Sequence, residues 1–252
     1  MNQKPANPDV ASTYEQGQQF NRLVSWLHSF RYAHILKVLE RLSTEIRDRP
    51  IRVLEIGCAS AKLYGMLHDR YPVDYTGIEP QRSFIEVAEK RYGARPNLRL
   101  ICGSAVDSVL FAAIDAPDII IALETLEHIP EHDVVRIVEN VAQRRPRLFV
   151  CSVPIEVGPI IWIKNIGSLL MGYMRHKEYR WRETLWAGLY QLDRLPPHGT
   201  GHKGFDWRWL AQTIRHNMQI VTRKKFPFRF LPAGLSTSVF FVARPRPDSA
   251  GQ

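Results

Sequence analysis

Apolar residues recur at helical spacing near the start of the chain. Leu23, Trp26, Leu27, Phe30, Ala33, Leu36, Leu39 and Leu42 share one face over 20–46, which predicts a helix or helix pair covering an apolar surface. The pattern then changes. Residues 52–56 form an apolar run ending at Gly57, as expected of a buried parallel strand. A helix is predicted over 62–70, stopping near Pro72, then a short strand over 75–78. A further helix over 83–91 carries Phe84, Val87 and Ala88 on one side. Strands follow at 98–102 and 118–123, a helix at 133–143 and a strand at 147–153. Such alternation predicts a parallel sheet with helices on both faces. Past Pro154 it stops. Residues 156–197 are apolar, then aromatic and basic, without strand alternation, and read as a helical insertion. A last helix (207–216) and two alternating strands (218–224, 236–243) surround a turn-rich stretch with Pro227, Pro232 and Gly234.

Length and charge adjust this picture. The 252 residues suit one large α/β domain, or a domain with a small appendage. Polar ends at 1–18 and 244–252 are expected to be loose. The net charge of +9 favours acidic partners such as nucleic acid, an anionic membrane surface or phosphorylated substrates; a merely basic soluble enzyme would look the same. Cys58, Cys102 and Cys151 have no metal or disulfide spacing and read as reduced core thiols near strand ends. No apolar signal core begins the chain, so the expected location is cytoplasmic. The most apolar stretch, 160–173, is interrupted by Lys164 and Asn165 and falls short of the roughly 20 residues a bilayer span needs.

The candidate chemistry starts at Val53 to Ala61, VLEIGCASA. A buried strand ends at Gly57 and a helix follows. Such a turn is expected to leave backbone N–H groups pointing outward, where the helix dipole favours an anionic group. Small residues at Gly57, Ala59 and Ala61 would let a ligand approach the backbone. Some 20 residues on, Glu79 ends the next strand, where a carboxylate can accept both hydroxyls of a ribose. The dinucleotide fingerprint G-x-G-x-x-G is broken, with Ala59 at its second glycine and Lys62 at its third. A pyrophosphate needs that close approach.

Four ordered segments carry a resemblance. VLEIGCASA resembles the first motif of class I S-adenosylmethionine (SAM)-dependent methyltransferases, E/D-x-G-x-G-x-G, with alanine at two of its glycines. Ile78 to Pro80, IEP, resembles the second. Cys102 to Ala105, CGSA, resembles the loop bracketing adenine, with Ser104 where Asp is common. Asp118 to Pro130, DIIIALETLEHIP, resembles the fourth-strand motif. The resemblance implies a Rossmann-like, seven-stranded, mostly parallel sheet with helices on both faces and a C-terminal antiparallel hairpin, plus the helical insertion. It implies SAM as cofactor, with Glu55 near the methionine ammonium and Gly57, Cys58 and Ala59 against the methionine portion. Glu79 and Pro80 would lie at the ribose, Ser104 and Ala105 at the adenine, and Glu124 at the cofactor's edge. The organisation that follows is an N-terminal tail and helical cap (1–48), a SAM-binding core (49–155), the insertion as substrate cap (156–200), the final helix and two strands (201–245), and a tail (246–252).

On the acceptor side, Glu124, Glu127 and His128 form E-x-x-E-H. On one helical turn these positions share a face. Two carboxylates and an imidazole suit a divalent metal, more naturally Mn, Fe, Co or Zn than Mg. A later histidine, His202, precedes Gly204–Phe205–Asp206–Trp207. The combination resembles ubiquinone-pathway O-methyltransferases, which carry E-x-x-E-H, and small-RNA 3′-terminal 2′-O-methyltransferases, which add a histidine before F-E-W. The metal set would be Glu124, Glu127, His128 and His202. Alternatively, Glu127 favours a helix start and His128 is a hydrogen-bonded structural residue. An alcohol or phenol acceptor also needs a base, for which His128, His198 and His202 are the candidates.

The insertion leaves three readings open. Ile160, Ile161, Trp162, Ile163, Leu169, Leu170 and Met171 precede Arg175, Lys177, Arg180 and Arg182, with Tyr179, Trp181 and Trp186 interleaved. This suits an interfacial helix touching the membrane inner face through 156–186, a nucleic-acid surface, or a lid packed on the core. The leading function is a methyl transfer from SAM to an oxygen of a small, lipid-linked or glycan acceptor. A metal-dependent RNA 2′-O-methyltransferase and a non-catalytic SAM-fold scaffold are the alternatives.

Overall fold

The structure, a computed structural model, describes residues 22–170, 180–199, 201–226 and 232–247. The expected N-terminal tail with Phe20, the residues Met171, Arg175, Lys177, Tyr179 and Pro227, and the end of the C-terminal tail lie outside these. So do the side chains of Leu23, Trp26, Leu27, Phe30, Leu169 and Leu170.

In chain order the elements are α1 (Arg22–Glu45), β1 (Ile51–Ile56), α2 (Lys62–Leu67), β2 (Val73–Glu79), α3 (Arg82–Tyr92), β3 (Leu98–Cys102), α4 (Ser108–Ala112), β4 (Ile119–Leu123), α5 (Glu131–Gln143), β5 (Leu148–Pro154), α6 (Ile160–Leu170), α7 (Trp181–Gly188), α8 (Trp207–Asn217), β6 (Gln219–Phe226) and β7 (Ser238–Arg244). The seven strands form one sheet in the order β3-β2-β1-β4-β5-β7-β6. β1 pairs in parallel with β2 and β4, and β2 with β3, while β6 and β7 are an antiparallel hairpin. This is the Rossmann-like sheet expected from the strand–helix alternation. The chain groups into two compact units, 1–122 with 143–149, and 123–142 with 150–252.

In the first unit, β1, the end of β2 and β4 are buried on both faces, which is why they read as apolar runs. α1 is one helix. Its buried stripe is Ile35, Leu39, Leu42, with Ile46 just beyond, so Ala33 faces solvent and Leu36 lies at the margin of the expected face. α2 ends at Leu67, earlier than expected, and α4 was not foreseen: five residues are too few for a periodic signal. Asp107 starts α4 by accepting the N–H groups of Val109 and Leu110 at 2.9 and 3.1 Å. Cys58 and Cys151 are buried as expected of core thiols, but Cys102 is exposed. It ends β3, the edge strand of the sheet, which pairs on one side only, with β2.

Asp118, before β4, is the electrostatic hub of this unit. Only 4% exposed, it receives both guanidinium nitrogens of Arg49 at 2.6 and 2.7 Å and the Arg52 N–H at 2.9 Å. Arg52 and Arg147 guanidinium groups stand further off, at 3.7 and 3.8 Å. Burial works to raise its pKa, but the Arg49 hydrogen bonds, the Arg52 N–H and the charges of both arginines hold it below the ordinary carboxylate value.

In the second unit, α6 and α7 form a locked pair. Trp162 donates to Thr184 O at 3.0 Å and Asn165 to Thr184 Oγ1 at 2.9 Å. Gly188 lies where any Cβ would fall 2.0 Å from the Trp162 ring nitrogen. Lys164, which interrupts the apolar run, reaches back to the fully buried Glu156 at 3.1 Å and to Ile155 and Thr237 carbonyls at 2.8 and 3.1 Å. A buried carboxylate needs such a partner. No helix among the described residues is long and apolar enough to cross a membrane.

Candidate active site

The parallel register of β1, β2 and β3 aligns their carboxyl ends, with Ile56 opposite Ile78 and Glu79 opposite Cys102. Gly57, Glu79, Pro80, Ser104 and Ala105 therefore follow one edge of the sheet, where ligands bind in open α/β folds.

Between β1 and α2 the backbone turns through three left-handed residues, Gly57 (φ 70°), Ala59 (φ 44°) and Ala61 (φ 54°). The two alanines thus adopt the conformation for which the family motif carries glycine. At four positions of the turn the N–H groups point inward rather than outward. Gly57 and Cys58 donate to Ile78 O at 2.8 and 3.1 Å, Ala59 to Glu79 Oε2 at 3.1 Å and Ala61 to Cys58 O at 2.8 Å. The turn spends these donors on β2 and on itself, and α2, at six residues, is too short for much of a dipole. Gly57 and Ala59 remain half-buried and approachable, whereas Cys58 and Ala61 are buried.

The left-handed alanines carry strain of about 1–2 kcal/mol each. At Ala59, partly exposed, that outweighs the entropy a glycine brings to the unfolded chain, about 0.5–1 kcal/mol. Ala59→Gly is expected to stabilise the protein by about 0.5–1 kcal/mol in chemical unfolding. A destabilised variant would contradict this backbone geometry. At Ala61 the lost burial of a methyl, about 0.8 kcal/mol, cancels most of the gain.

Glu79 is 7% exposed. Its two oxygens accept from Ala59 and from Gln81 N at 3.0 Å, so it braces both the turn and the start of α3. Burial raises its pKa against those two hydrogen bonds. Glu55, 5% exposed, accepts the Tyr75 hydroxyl. Its pKa is pushed up to about 8 by burial and by the nearby Glu79 charge, with the Tyr75 hydrogen bond acting against both. A buried carboxylate in this state would be relieved by a cation, which is the charge of an amino-acid ammonium.

The raised pKa has a consequence for stability. Below about pH 4.5 Glu55 is protonated folded or unfolded and contributes nothing; from there to about pH 8 the unfolded chain ionises while the folded one holds its proton, so stability falls as pH rises. Glu55→Gln removes that cost. It is expected to stabilise by about 1–3 kcal/mol near pH 8 and hardly at all near pH 4.5. Equal effects at both pH values in denaturant titrations would contradict the assignment.

Two contributors were not singled out in the sequence. Tyr75 is one. Gly77, opposite Glu55 in the register, is the other. A Cβ at Gly77 would lie 2.6 Å from Cys58 Sγ and 2.9 Å from its Cβ, so glycine here lets the turn seat against β2. A glycine inside a strand is the available signal. Ser104 is exposed; its hydroxyl accepts the Val106 N–H at 3.3 Å, and Ala105 is buried.

The acceptor-side residues belong to the second unit. The E-x-x-E-H stretch does not form one α-helical turn. Leu126–His128 is a 3₁₀ turn, and Glu124 lies before it at φ 49°, its N–H bound to Ser152 O at 2.9 Å and its carboxylate taking the Ser152 hydroxyl at 3.2 Å. Glu124 is therefore outside the cluster it was expected to join. Glu127, His128 and His202 come together, with one ligating atom of each within 4.8 Å of the others. Glu127 is fully buried, and the His128 and His202 rings are 4.8 Å apart. Burial lowers the His128 pKa, Glu124 acts against this and His198 adds to it. His128 is thus neutral at neutral pH, with a lone pair to offer.

His198 is oriented by its loop. Its Nδ1 lies 3.0 Å from Lys203 O, which can only accept, so Nδ1 carries the proton and buried Nε2 carries the lone pair. Gly201 and Gly204, both left-handed, turn this loop back on itself. Of the GFDW stretch, Phe205 is buried, Asp206 starts α8 by accepting from Arg208 N, and Trp207 stacks on Phe241. Those three are structural.

Residues 53–144 match a family model described as a methyltransferase domain. Over this stretch, a little over a third of its length, the chain carries a SAM-dependent methyltransferase domain. The left-handed turn, Glu79 and the buried Glu55 fit SAM as its cofactor. A malonyl-[acyl-carrier protein] O-methyltransferase of Anoxybacillus flavithermus is 28% identical over 123 residues, 47% of this methyltransferase and 46% of that protein, so the match spans about half of the relative's length. Among solved structures, magnesium protoporphyrin IX methyltransferase from Synechocystis PCC 6803 with bound SAH superposes at a TM-score of 0.59, with 14% identity over 90% of this methyltransferase and 89% of that chain. The N-methyltransferase NodS of Bradyrhizobium japonicum WM9, in complex with SAH, gives 0.55 at 14% identity over 90% of each chain. The methyltransferase domain of bacterial CtHen1 gives 0.57 at 15% identity over 86% of this methyltransferase and 99% of that domain. At such identities these structures speak for the fold alone.

Proposed function

We propose that this methyltransferase moves the SAM methyl group to an oxygen of a small, lipid-linked or glycan acceptor. The observation that carries the oxygen preference is the grouping of Glu127, His128 and His202 within 4.8 Å. Bound SAM supplies a methyl group on a sulfonium that needs no further activation. A hydroxyl acceptor is different: it must lose a proton as it attacks. Neutral His128 can take that proton, and His202 or His198 Nε2 are the other imidazoles placed to do so; buried Glu127 then balances an imidazolium charge. On the cofactor side, Glu79 accepts the ribose hydroxyls, Glu55 offers its carboxylate to the methionine ammonium, Gly57 and Ala59 pack against the methionine portion, and Ala105 borders the adenine.

A divalent ion is the second part of this reading. One carboxylate and two imidazoles suit Zn, Fe, Mn or Co, and Glu127, His128 and His202 would hold it. Such an ion would lower the pKa of an acceptor hydroxyl. Glu124 is left out of this set, since its carboxylate is turned to Ser152.

Radiolabelled methyl transfer into fractionated lipid, small-molecule and RNA extracts tests the reading. Label is expected in the lipid or small-molecule fraction, with activity falling at least tenfold on chelation and on His202→Ala. Label in RNA alone would replace the acceptor class, and undiminished transfer under chelation would remove the metal.

The location proposed is the cytoplasm, peripheral on the membrane inner face. Ile163 and Ile166 on α6 and Trp181 and Leu185 on α7 are exposed, next to the exposed Arg180 and Arg182. An apolar face flanked by cations suits an anionic bilayer. Co-sedimentation with anionic vesicles at low salt reads this out; protein that stays in the supernatant sinks it.

A further inference from the structure

The +9 charge is concentrated at the end of the chain. Residues 207–247 hold eight Lys and Arg and no Asp or Glu. Three of the arginines meet in a groove of about 620 Å³ formed by Arg215, Met218, Gln219, Ile220, Arg244, Arg246 and Pro247. They come from three elements. Arg215 is in the last turn of α8, Arg244 ends β7 and Arg246 follows it. Arg244 donates to Gln219 Oε1 at 3.1 Å, and Arg246 to the Arg215 carbonyl. Both guanidinium groups are therefore held in place by neutral acceptors, which orient them without cancelling their charge. The apolar lining between them is buried Met218, half-buried Ile220 and exposed Pro247. Arg223 extends the positive surface along β6, the edge strand of the sheet.

This groove is separate from the histidine cluster. Ile155 donates to Thr237 O and Glu124 to Ser152 O, so the start of β7 and the E-x-x-E-H loop lie by the end of β5. β7 then runs to Arg244, a strand length of roughly 20 Å away.

We propose that the groove between α8 and the β6–β7 hairpin is a binding site for single-stranded nucleic acid, with Arg215, Arg244 and Arg246 on successive phosphates. The planar guanidinium fork matches a phosphate in bidentate fashion. A nucleotide joins an anionic group to a flat apolar face at short range, which is the pairing that three arginines around an apolar lining present. An acidic protein surface offers carboxylates but no such adjacent flat apolar face. The proposal stands whatever the methyl acceptor is.

The test is fluorescence anisotropy of the full chain with a labelled oligouridylate of about ten nucleotides, within the usual single-strand site size. Binding is expected to weaken with salt, log K falling against log[salt] with a slope of about −2, the value for three phosphates. The R215Q/R244Q/R246Q variant is expected to bind at least tenfold more weakly, with a slope near zero and unchanged SAM affinity. Should that variant fail to fold, Arg215→Gln alone is expected to cost threefold or more; its side chain makes no hydrogen bond or ion pair among the described residues. Oligouridylate binding that is absent, or equal in wild type and variant, overturns the proposal. So does a polyglutamate of equal charge that competes as well as the RNA, or anionic vesicles bound more tightly through the same arginines.

Discussion

Glu79→Ala is expected to weaken SAM binding by two orders of magnitude or more in calorimetric titration. Two hydroxyls bound to one charged carboxylate are worth about 3–4 kcal/mol together, and each 1.4 kcal/mol is a factor of ten. Glu79 does more than face a ligand. Its oxygens also accept from Ala59 and Gln81, so the alanine variant releases the turn from β2 and leaves two N–H groups without that acceptor. A loss of about 2 kcal/mol in stability is expected alongside. The two effects separate on measurement: if stability falls while the SAM Kd stays within twofold, Glu79 braces the turn and does not hold the ribose.

Asp118→Ala should bring the largest loss of stability, about 3 kcal/mol, or a drop in Tm of roughly 10 °C. Removing one partner of a fully buried ion pair costs more. Here the arginine side chains keep 35–54% exposure and can turn to water. What is lost is three charge-assisted hydrogen bonds at about 1 kcal/mol each. The sign with pH follows from the lowered pKa. The contribution is present above the unfolded carboxylate pKa near 4 and is lost as pH falls through the folded value. Asp118→Asn, which keeps an acceptor for Arg52 N–H, should therefore match wild type more closely in acid than at neutral pH. Thermal melts across pH decide this, and a constant difference would contradict the ion-pair account.

β1, β4 and β5 were legible because burial on both faces leaves an apolar run that needs no periodicity. β3, a half-exposed edge strand, still has the bounds read from the sequence, Leu98 and Cys102. The carboxyl edge of the sheet was legible because Gly57, Glu79 and Ser104 each stand at or just beyond the end of a strand. What failed depended on partners distant in sequence. That Gly57 and Cys58 donate inward follows from Ile78 standing opposite Ile56, and nothing near residue 57 reveals that register. Glu124 was grouped with Glu127 and His128 on the assumption of an α-turn. Its positive φ and the 3₁₀ turn after it send the carboxylate to Ser152 instead. The tautomer of His198 depends on the Lys203 carbonyl, which the glycine-rich loop brings back to it. Gly77 was passed over because its function is to make room for Cys58, which comes nineteen positions earlier.

The three thiols differ in a way that can be put to use. Cys58 and Cys151 are buried, and burial pushes both thiols up, far from the thiolate form that alkylating reagents require. Cys102 is exposed, with its sulfur 3.8 Å from the Pro80 carbonyl and two residues before Ser104. A maleimide dye added to the unmodified chain would therefore attach at one position, beside the loop proposed to border the adenine. That gives a site-specific optical reporter of nucleoside occupancy without a cysteine having to be introduced or removed.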